Sequence, residues 1–253
     1  MANFPAALTP LNHVAPVPRR IRGVKDGATL VDTVRAQYVW EWPHYPHYYL
    51  PQADVQMDRF VAGDAITTPQ GQARHLAWKT GGDERRPPAR IVTASELPGL
   101  ADAVRIEWGA LDRWFEEDEE VFVHPRSPYK RVDALRSNRA VRVELDGTLL
   151  ADARACVMVF ETGLPTRYYV DVTNVRFDAL RASPTRSQCP YKGITGGYWS
   201  AEANGKTVAD VAWTYRFTTP AMTPIAGLVA FLNEKVDIFI DGALQPRPQT
   251  HFS

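Results

Sequence analysis

The chain repeats itself. Residues 19–58 lie over residues 139–178 at an offset of 120 without a gap. Twelve of those 40 positions are identical: Arg19/Arg139, Arg22/Arg142, Asp26/Asp146, Gly27/Gly147, Leu30/Leu150, Asp32/Asp152, Val39/Val159, Glu41/Glu161, Tyr48/Tyr168, Tyr49/Tyr169, Val55/Val175 and Asp58/Asp178. Average residue usage gives roughly 2 or 3 by chance. Self-similarity at a fixed spacing is the mark of duplicated structure. The 253 residues therefore read as two versions of one unit, 1–112 and 113–253.

The shared unit reads as β. Val141 to Ala151 alternates apolar and polar residues around Asp146-Gly147, a dipeptide suited to a two-residue hairpin turn. Cys156 to Phe160, Arg167 to Val170 and Val211 to Phe217 are further β-prone runs, and Val236 to Ile240 ends at Asp241-Gly242. Val104 to Trp108 reads as the last strand of the first copy, matching Val236 to Ile240. Thr223 to Asn233 is expected to be a helix, with Pro224 in its first turn and Ile225, Leu228, Val229 and Leu232 at helical spacing. A second short helix is expected over Ala94 to Ala103. Asp83 to Pro88 is a polar, proline-bearing loop. The fold class is mainly β: two homologous small domains of barrel, sandwich or tent-like form with few short helices.

Bulk properties remove several classes. Lys+Arg and Asp+Glu both number 29, so the net charge is zero and no field favours nucleic acid or an anionic membrane. Two cysteines, Cys156 and Cys189, are too few for a disulfide framework, and no C-x-x-C pair offers a thiolate zinc site. The start carries no basic leader and has three prolines in 16 residues, a poor signal peptide. The longest apolar run, Ile225 to Leu232, is far short of a membrane span. A cytoplasmic protein with a small-molecule ligand, no nucleic-acid or membrane partner and no cofactor is the expectation.

Five motifs in order carry a resemblance: W-F-E-E-D-E-E-V-F-V-H-P-R-S-P-Y (114–129), E-T-G-L-P-T-R-Y-Y (161–169), C-P-Y-K-G (189–193), A-W-T-Y (212–215) and N-E-K-V-D (233–237). With Y-Y-L-P-Q-A-D-V-Q-M-D (48–58) and G-Q-A-R-H (71–75), they make the chain resemble the domain of unknown function 427 family in its tandem form. The resemblance implies a compact β-rich domain and brings no mechanism with it. A nucleotidyl-transfer reading has no phosphate cradle to support it, since neither a P-loop nor G-x-G-x-x-G occurs.

The copies differ where chemistry is concentrated. Aligning Gly71 with Gly193 puts Thr67 opposite Cys189 and Gln70 opposite Lys192. The first copy lacks the thiol and the amine, and has His44 and His47 opposite Leu164 and Arg167. Cys189 with Lys192 is the sharpest pair, because a nearby ammonium favours thiolate, the reactive form; the plain reading is a buried small hydrophobe and a solvated lysine. Glu161, Arg167 and Tyr169 share parity and would face one side of an extended strand. Glu161 would then be a base, Arg167 an anion clamp and Tyr169 a proton donor. That Glu41 and Tyr49 persist without the arginine favours a structural duty for the Glu and Tyr. Trp199, Trp213 and Tyr215, with Tyr198, are lining candidates in the second copy, as are Trp40, Trp42 and Tyr45 in the first; core packing is the competing reading.

Three further groups are weaker. Glu41, His44, His47 and His75 would hold a metal only if His75 folds in, and their spacing matches no zinc motif, so no metal is assigned. Glu116 to Glu120 offers carboxylates for magnesium but reads better as a solvated run. Arg126, in the stiff loop His124 to Tyr129, would clamp a ligand carboxylate or tie down its own domain. The expectation for function is an enzyme of small-molecule metabolism with a polar pocket in the second copy. Glu161, Tyr169 and Cys189 would be catalytic, and Arg167, Lys192, Tyr198, Trp213 and Tyr215 would bind substrate. The alternatives are a non-catalytic ligand-binding or sensor module, and a purely structural protein.

Overall fold

The computed structural model describes residues 9–81, 86–250 and 252. Residues 83–85 of the expected loop, and residues 1–8 of the proline-bearing start, lie outside them. The chain divides into two compact units between Ser127 and Pro128, fifteen residues beyond the expected 112/113. The reason is a strand. Arg113–Glu116 pairs with Ile21–Lys25, Trp114 lying opposite Gly23, so this segment completes the first unit.

The first unit has eleven strands: β1 Val14–Pro16, β2 Ile21–Lys25, β3 Ala28–Thr33, β4 Gln37–Val39, β5 His47–Pro51, β6 Phe60–Thr68, β7 Gly71–Trp78, β8 Ala89–Ala94, β9 Ala103–Ile106, β10 Arg113–Glu116 and β11 Glu119–Val121. They form one seven-stranded sheet, β1-β4-β5-β9-β8-β7-β6, and one four-stranded sheet, β11-β10-β2-β3. The second unit has twelve: β12 Val132–Ser137, β13 Val141–Leu145, β14 Thr148–Ala153, β15 Cys156–Glu161, β16 Arg167–Val170, β17 Leu180–Ser183, β18 Gln188–Cys189, β19 Gly193–Ala203, β20 Lys206–Thr218, β21 Val229–Phe231, β22 Asp237–Ile240 and β23 Ala243–Leu244. Its sheets run β12-β15-β16-β21-β20-β19-β17, with β18 beside β19, and β14-β13-β22-β23. Strand for strand the paths are the same, with β18 the addition. The architecture is mainly β, with open rather than closed sheets. Helix among the described residues is limited to short 3-10 turns, and none is long and apolar enough to cross a membrane.

In each unit the small sheet packs on one face of the large one. Strand alternation explains how. In β15, Cys156 and Met158 join Val143, Leu145 and Ile240 in the main core, while Val157 and Val159 point to the opposite face with Tyr169, Tyr215 and Ala230. The first unit repeats this, with Tyr48 and Leu50 inward and Val39 and Tyr49 outward. The tight turns are as read. Asp26-Gly27, Asp146-Gly147 and Asp241-Gly242 all sit at positive φ, as two-residue hairpins require.

Both expected longer helices are overturned. Pro220–Ile225 is one 3-10 segment, Gly227 turns at positive φ, and Val229–Phe231 is a strand with all three residues buried. A central strand covered on both faces is apolar throughout, and here that run mimicked a helical stripe. Residues Ser95 to Asp102 form turns, with Gly99 and Asp102 at positive φ. The expected match of Val104 with Val236 also fails. Leu50 pairs with Val104 as Val170 pairs with Val229, so β9 corresponds to β21, a central strand.

Candidate functional site

The outer face of each large sheet, away from the small sheet, carries the residues singled out above. In the second unit Val159 pairs with Arg167 and Val157 with Tyr169, so the two strands project Glu161, Arg167 and Tyr169 to one side. The chain turns between them at Gly163, φ 78°. Tyr169 pairs with Ala230, Ala230 with Trp213, and Trp213 with Tyr198. Ala230 is small, and across it Trp213 Nε1 donates to the Tyr169 hydroxyl at 3.3 Å, the rings meeting edge to face. Trp213 and Tyr198 stack at 6.5 Å, and the Tyr198 hydroxyl lies 2.6 Å from Ser187 Oγ. Tyr215 and Tyr169 are buried, Trp213 and Tyr198 half-buried.

Lys192 enters this face from the β18–β19 turn. Its Nζ forms an ion pair with Glu161 Oε2 and lies 4.0 Å from Cys189 Sγ. Lys130 Nζ reaches the other Glu161 oxygen at 3.4 Å. Glu161 and Lys192 are buried, their side chains 8% and 10% exposed, while Cys189 is half-buried. Burial opposes the charge on both, but each partner outweighs it. Lys192 and Lys130 hold Glu161 below the ordinary carboxylate range, and Glu161 holds Lys192 above the ordinary amine range. Burial pushes Tyr169 up to about 12 and Tyr215 well above a normal phenol.

Arg167 is engaged elsewhere. It makes two hydrogen bonds to the Glu234 carboxylate, at 2.6 and 2.7 Å, and a third to Asn233 Oδ1 at 3.1 Å. Asn233 in turn donates to the Thr166 carbonyl. The fork-to-carboxylate geometry leaves little for an incoming anion. Thus Glu161, Tyr169, Cys189, Lys192, Tyr198, Trp213 and Tyr215 come together, and Arg167 stands beside them with its own partner. Lys130, Asn233 and Glu234 join these groups from far along the chain, and of the three only Asn233 and Glu234 lie in a motif, N-E-K-V-D.

The first unit answers the same problem with other residues. The pairing His75–Arg90–Arg105 corresponds to Tyr198–Trp213–Ala230. Arg90 Nη2 donates to Glu41 Oε2 at 2.6 Å and to the Tyr49 hydroxyl at 3.0 Å, and Arg105 Nε donates to Glu41 Oε1 at 3.1 Å. The two arginines therefore supply the counter-charge that Lys192 and Lys130 supply to Glu161. Gln70, opposite Lys192, bonds Asn12 Oδ1 at 2.8 Å. His47 lies 4.0 Å from Glu41, whereas His44 packs against Trp42. Among the described residues no three His, Cys, Asp or Glu side chains converge as metal ligands. The acidic run is not uniformly solvated: Glu116 is buried and bound by Arg19, Arg126 and the Tyr48 hydroxyl. Arg126 thus ties down its own unit.

Two copies share one strand order, and each presents a Glu and a Tyr on the same outer face. The family model described as Domain of unknown function (DUF427) matches residues 13–108 and again 133–242. The chain belongs to the DUF427 family. The DUF427 match spans β1 to β9 of the first unit and runs from within β12 to β22 of the second, so Glu41, Tyr49, Glu161, Tyr169, Cys189 and Lys192 lie within family sequence and Lys130 just before it. No curated protein matches the chain.

Proposed function

We propose that the second unit is a small-molecule binding module whose ligand sits over the Tyr198–Trp213 shelf, beside Cys189 and the Lys192–Glu161 pair. The observation that carries this reading is Lys192. A buried ion pair is weak support for stability, because two charges must leave water. The corresponding place in the first unit holds a neutral glutamine, because Arg90 and Arg105 meet the Glu41 charge from the sheet instead, so a cation delivered from this turn, next to a thiol, is particular to the second unit. The ammonium, a half-buried thiol and two half-buried rings then form one mixed surface of the kind that orients small ligands.

Binding is favoured over proton-transfer catalysis by the charge states. Glu161 is held ionised, Lys192 protonated, and Tyr169 and Tyr215 neutral, so none of the four changes state near neutral pH. A second, enzymatic reading rests on the approach of Lys192 to Cys189 at 4.0 Å, which suits a nucleophilic thiol. The two free cysteines suit a reducing cytoplasmic setting.

The test is a thermal-shift screen of the full chain against a metabolite library, repeated with Lys192→Gln, Trp213→Phe and Cys189→Ser. The expected result is a ligand whose shift falls with the first two substitutions. A ligand indifferent to both removes the site. Turnover abolished by Cys189→Ser alone selects the enzymatic reading.

A further inference from the structure

The first unit carries a cleft of about 750 Å³ along the ends of β7 and β8 and the turn Trp108–Ala110. That volume lies within the range of small-molecule sites. Its polar lining is His75, Arg86, Arg90 and Glu107, and its apolar lining includes Trp78 and Pro88. Arg86 is exposed, and Trp78 is held by stacking on Phe60 at 4.7 Å.

The lining has an excess of positive charge. Arg86, Arg90 and the adjoining Arg105 stand against two carboxylates, Glu41 and Glu107, so the excess is one charge, carried by the exposed Arg86. Arg90 is fixed from behind by Glu41 and Tyr49, while its Nη1 lies 3.9 Å from Glu107. Its buried Nε has no hydrogen-bond partner in the structure. A rigid guanidinium set among proline, alanine and tryptophan side chains suits a carboxylate borne on an apolar body.

We propose that this cleft is a separate binding site for a small organic carboxylate, with Arg86 and Arg90 receiving the acid and Trp78 and Pro88 the apolar body. It is independent of the proposed site in the second unit. Arg90, on β8, lies far along the chain from the Glu41–Tyr49 motif it serves, so no local pattern marks the cleft.

The test uses 1-naphthaleneacetate and its neutral amide as probes of the full chain, read by ligand-observed NMR titration. The acid is expected to bind, the amide to bind at least tenfold more weakly, and Arg86→Gln to weaken the acid by about tenfold, as loss of one charge-assisted contact implies. Lys192→Gln is expected to leave the acid's affinity unchanged. Equal binding of acid and amide, or indifference to Arg86→Gln, overturns the proposal. Loss of acid binding in Lys192→Gln but not Arg86→Gln also overturns it and moves the ligand to the second unit. Arg86 is exposed, so its replacement leaves the fold intact and the outcome readable.

Discussion

Lys192 stands in the second unit where Gln70 stands in the first, each directly ahead of a glycine at positive φ whose backbone runs against the next strand. At Gly71 an added Cβ would collide with the Ala94 carbonyl, and at Gly193 with the Phe217 carbonyl. The φ values, 133° and 112°, are themselves unsuited to a side chain. Gly193→Ala is expected to destabilise the second unit by about 3 kcal/mol or more, since strain and steric overlap add. Urea unfolding checks this. An unfolding midpoint unchanged from wild type would mean that the turn relaxes freely and that Lys192 is not held in place by it.

The Lys192–Glu161 pair makes a second prediction. Lys192→Gln leaves Glu161 buried with only the more distant Lys130, and is expected to cost about 3 kcal/mol. Adding Glu161→Gln should recover most of that loss, because no uncompensated charge then remains. The double-mutant cycle in urea measures the coupling. Additive effects would show that the two side chains do not share the ion pair. The pH dependence has a fixed sign. Glu161 is held below its ordinary value, so its contribution is present above about pH 4.5 and is lost as pH falls through the depressed value.

Much of the architecture is legible in the residues. The 120-residue offset carries Asp26-Gly27 onto Asp146-Gly147 and Tyr48-Tyr49 onto Tyr168-Tyr169, and with them the turns and the inward–outward alternation of whole strands. What misled was burial on both faces: Val229, Ala230 and Phe231 are all apolar because sheet covers one side and Met222 and Ile225 the other. The site was half legible. Parity puts Glu161 and Tyr169 on one face of a single extended strand; they do share a face, but from two paired strands joined by the turn at Gly163. The partners of Glu41 and Arg167 are non-local, and no local pattern announces that Arg90 and Arg105 cross the sheet to one carboxylate or that Glu234 takes Arg167. The lesson of Glu116 is similar. It sits in a run of acidic residues, yet β10 turns it inward to Arg19 and Tyr48.

Arg167 gives a third prediction. Glu234 has no exposed side-chain surface, and removing its partner strands a buried carboxylate. Arg167→Met is expected to cost about 3 to 5 kcal/mol in unfolding free energy. If Arg167 only secures β16 to the segment after β21, ligands found by the thermal-shift screen should keep their affinity at a temperature where the variant is folded. Affinity lost in proportion to ligand charge would instead make Arg167 a contact.

His47 gives the last. Burial comes first and the neighbouring Arg105 second in pushing its imidazole down to about 4, with Glu41 and Glu107 pulling the other way and Arg90 reinforcing the fall. The unfolded chain takes up a proton near the ordinary value of 6.5, whereas the folded chain refuses it until about 4. The stability tied to this group is therefore present above pH 6.5 and is lost as pH falls from 6.5 to about 4. A shift of that size corresponds to roughly 3 kcal/mol at most. His47→Gln should flatten the stability profile of the first unit between pH 6.5 and 4 while leaving its acid limb below 4 intact. Chemical denaturation at half-unit pH steps reads the slope directly. A wild-type profile already flat over that window would show that His47 is protonated in the folded protein and that Glu41, at 4.0 Å, holds it as an ion pair.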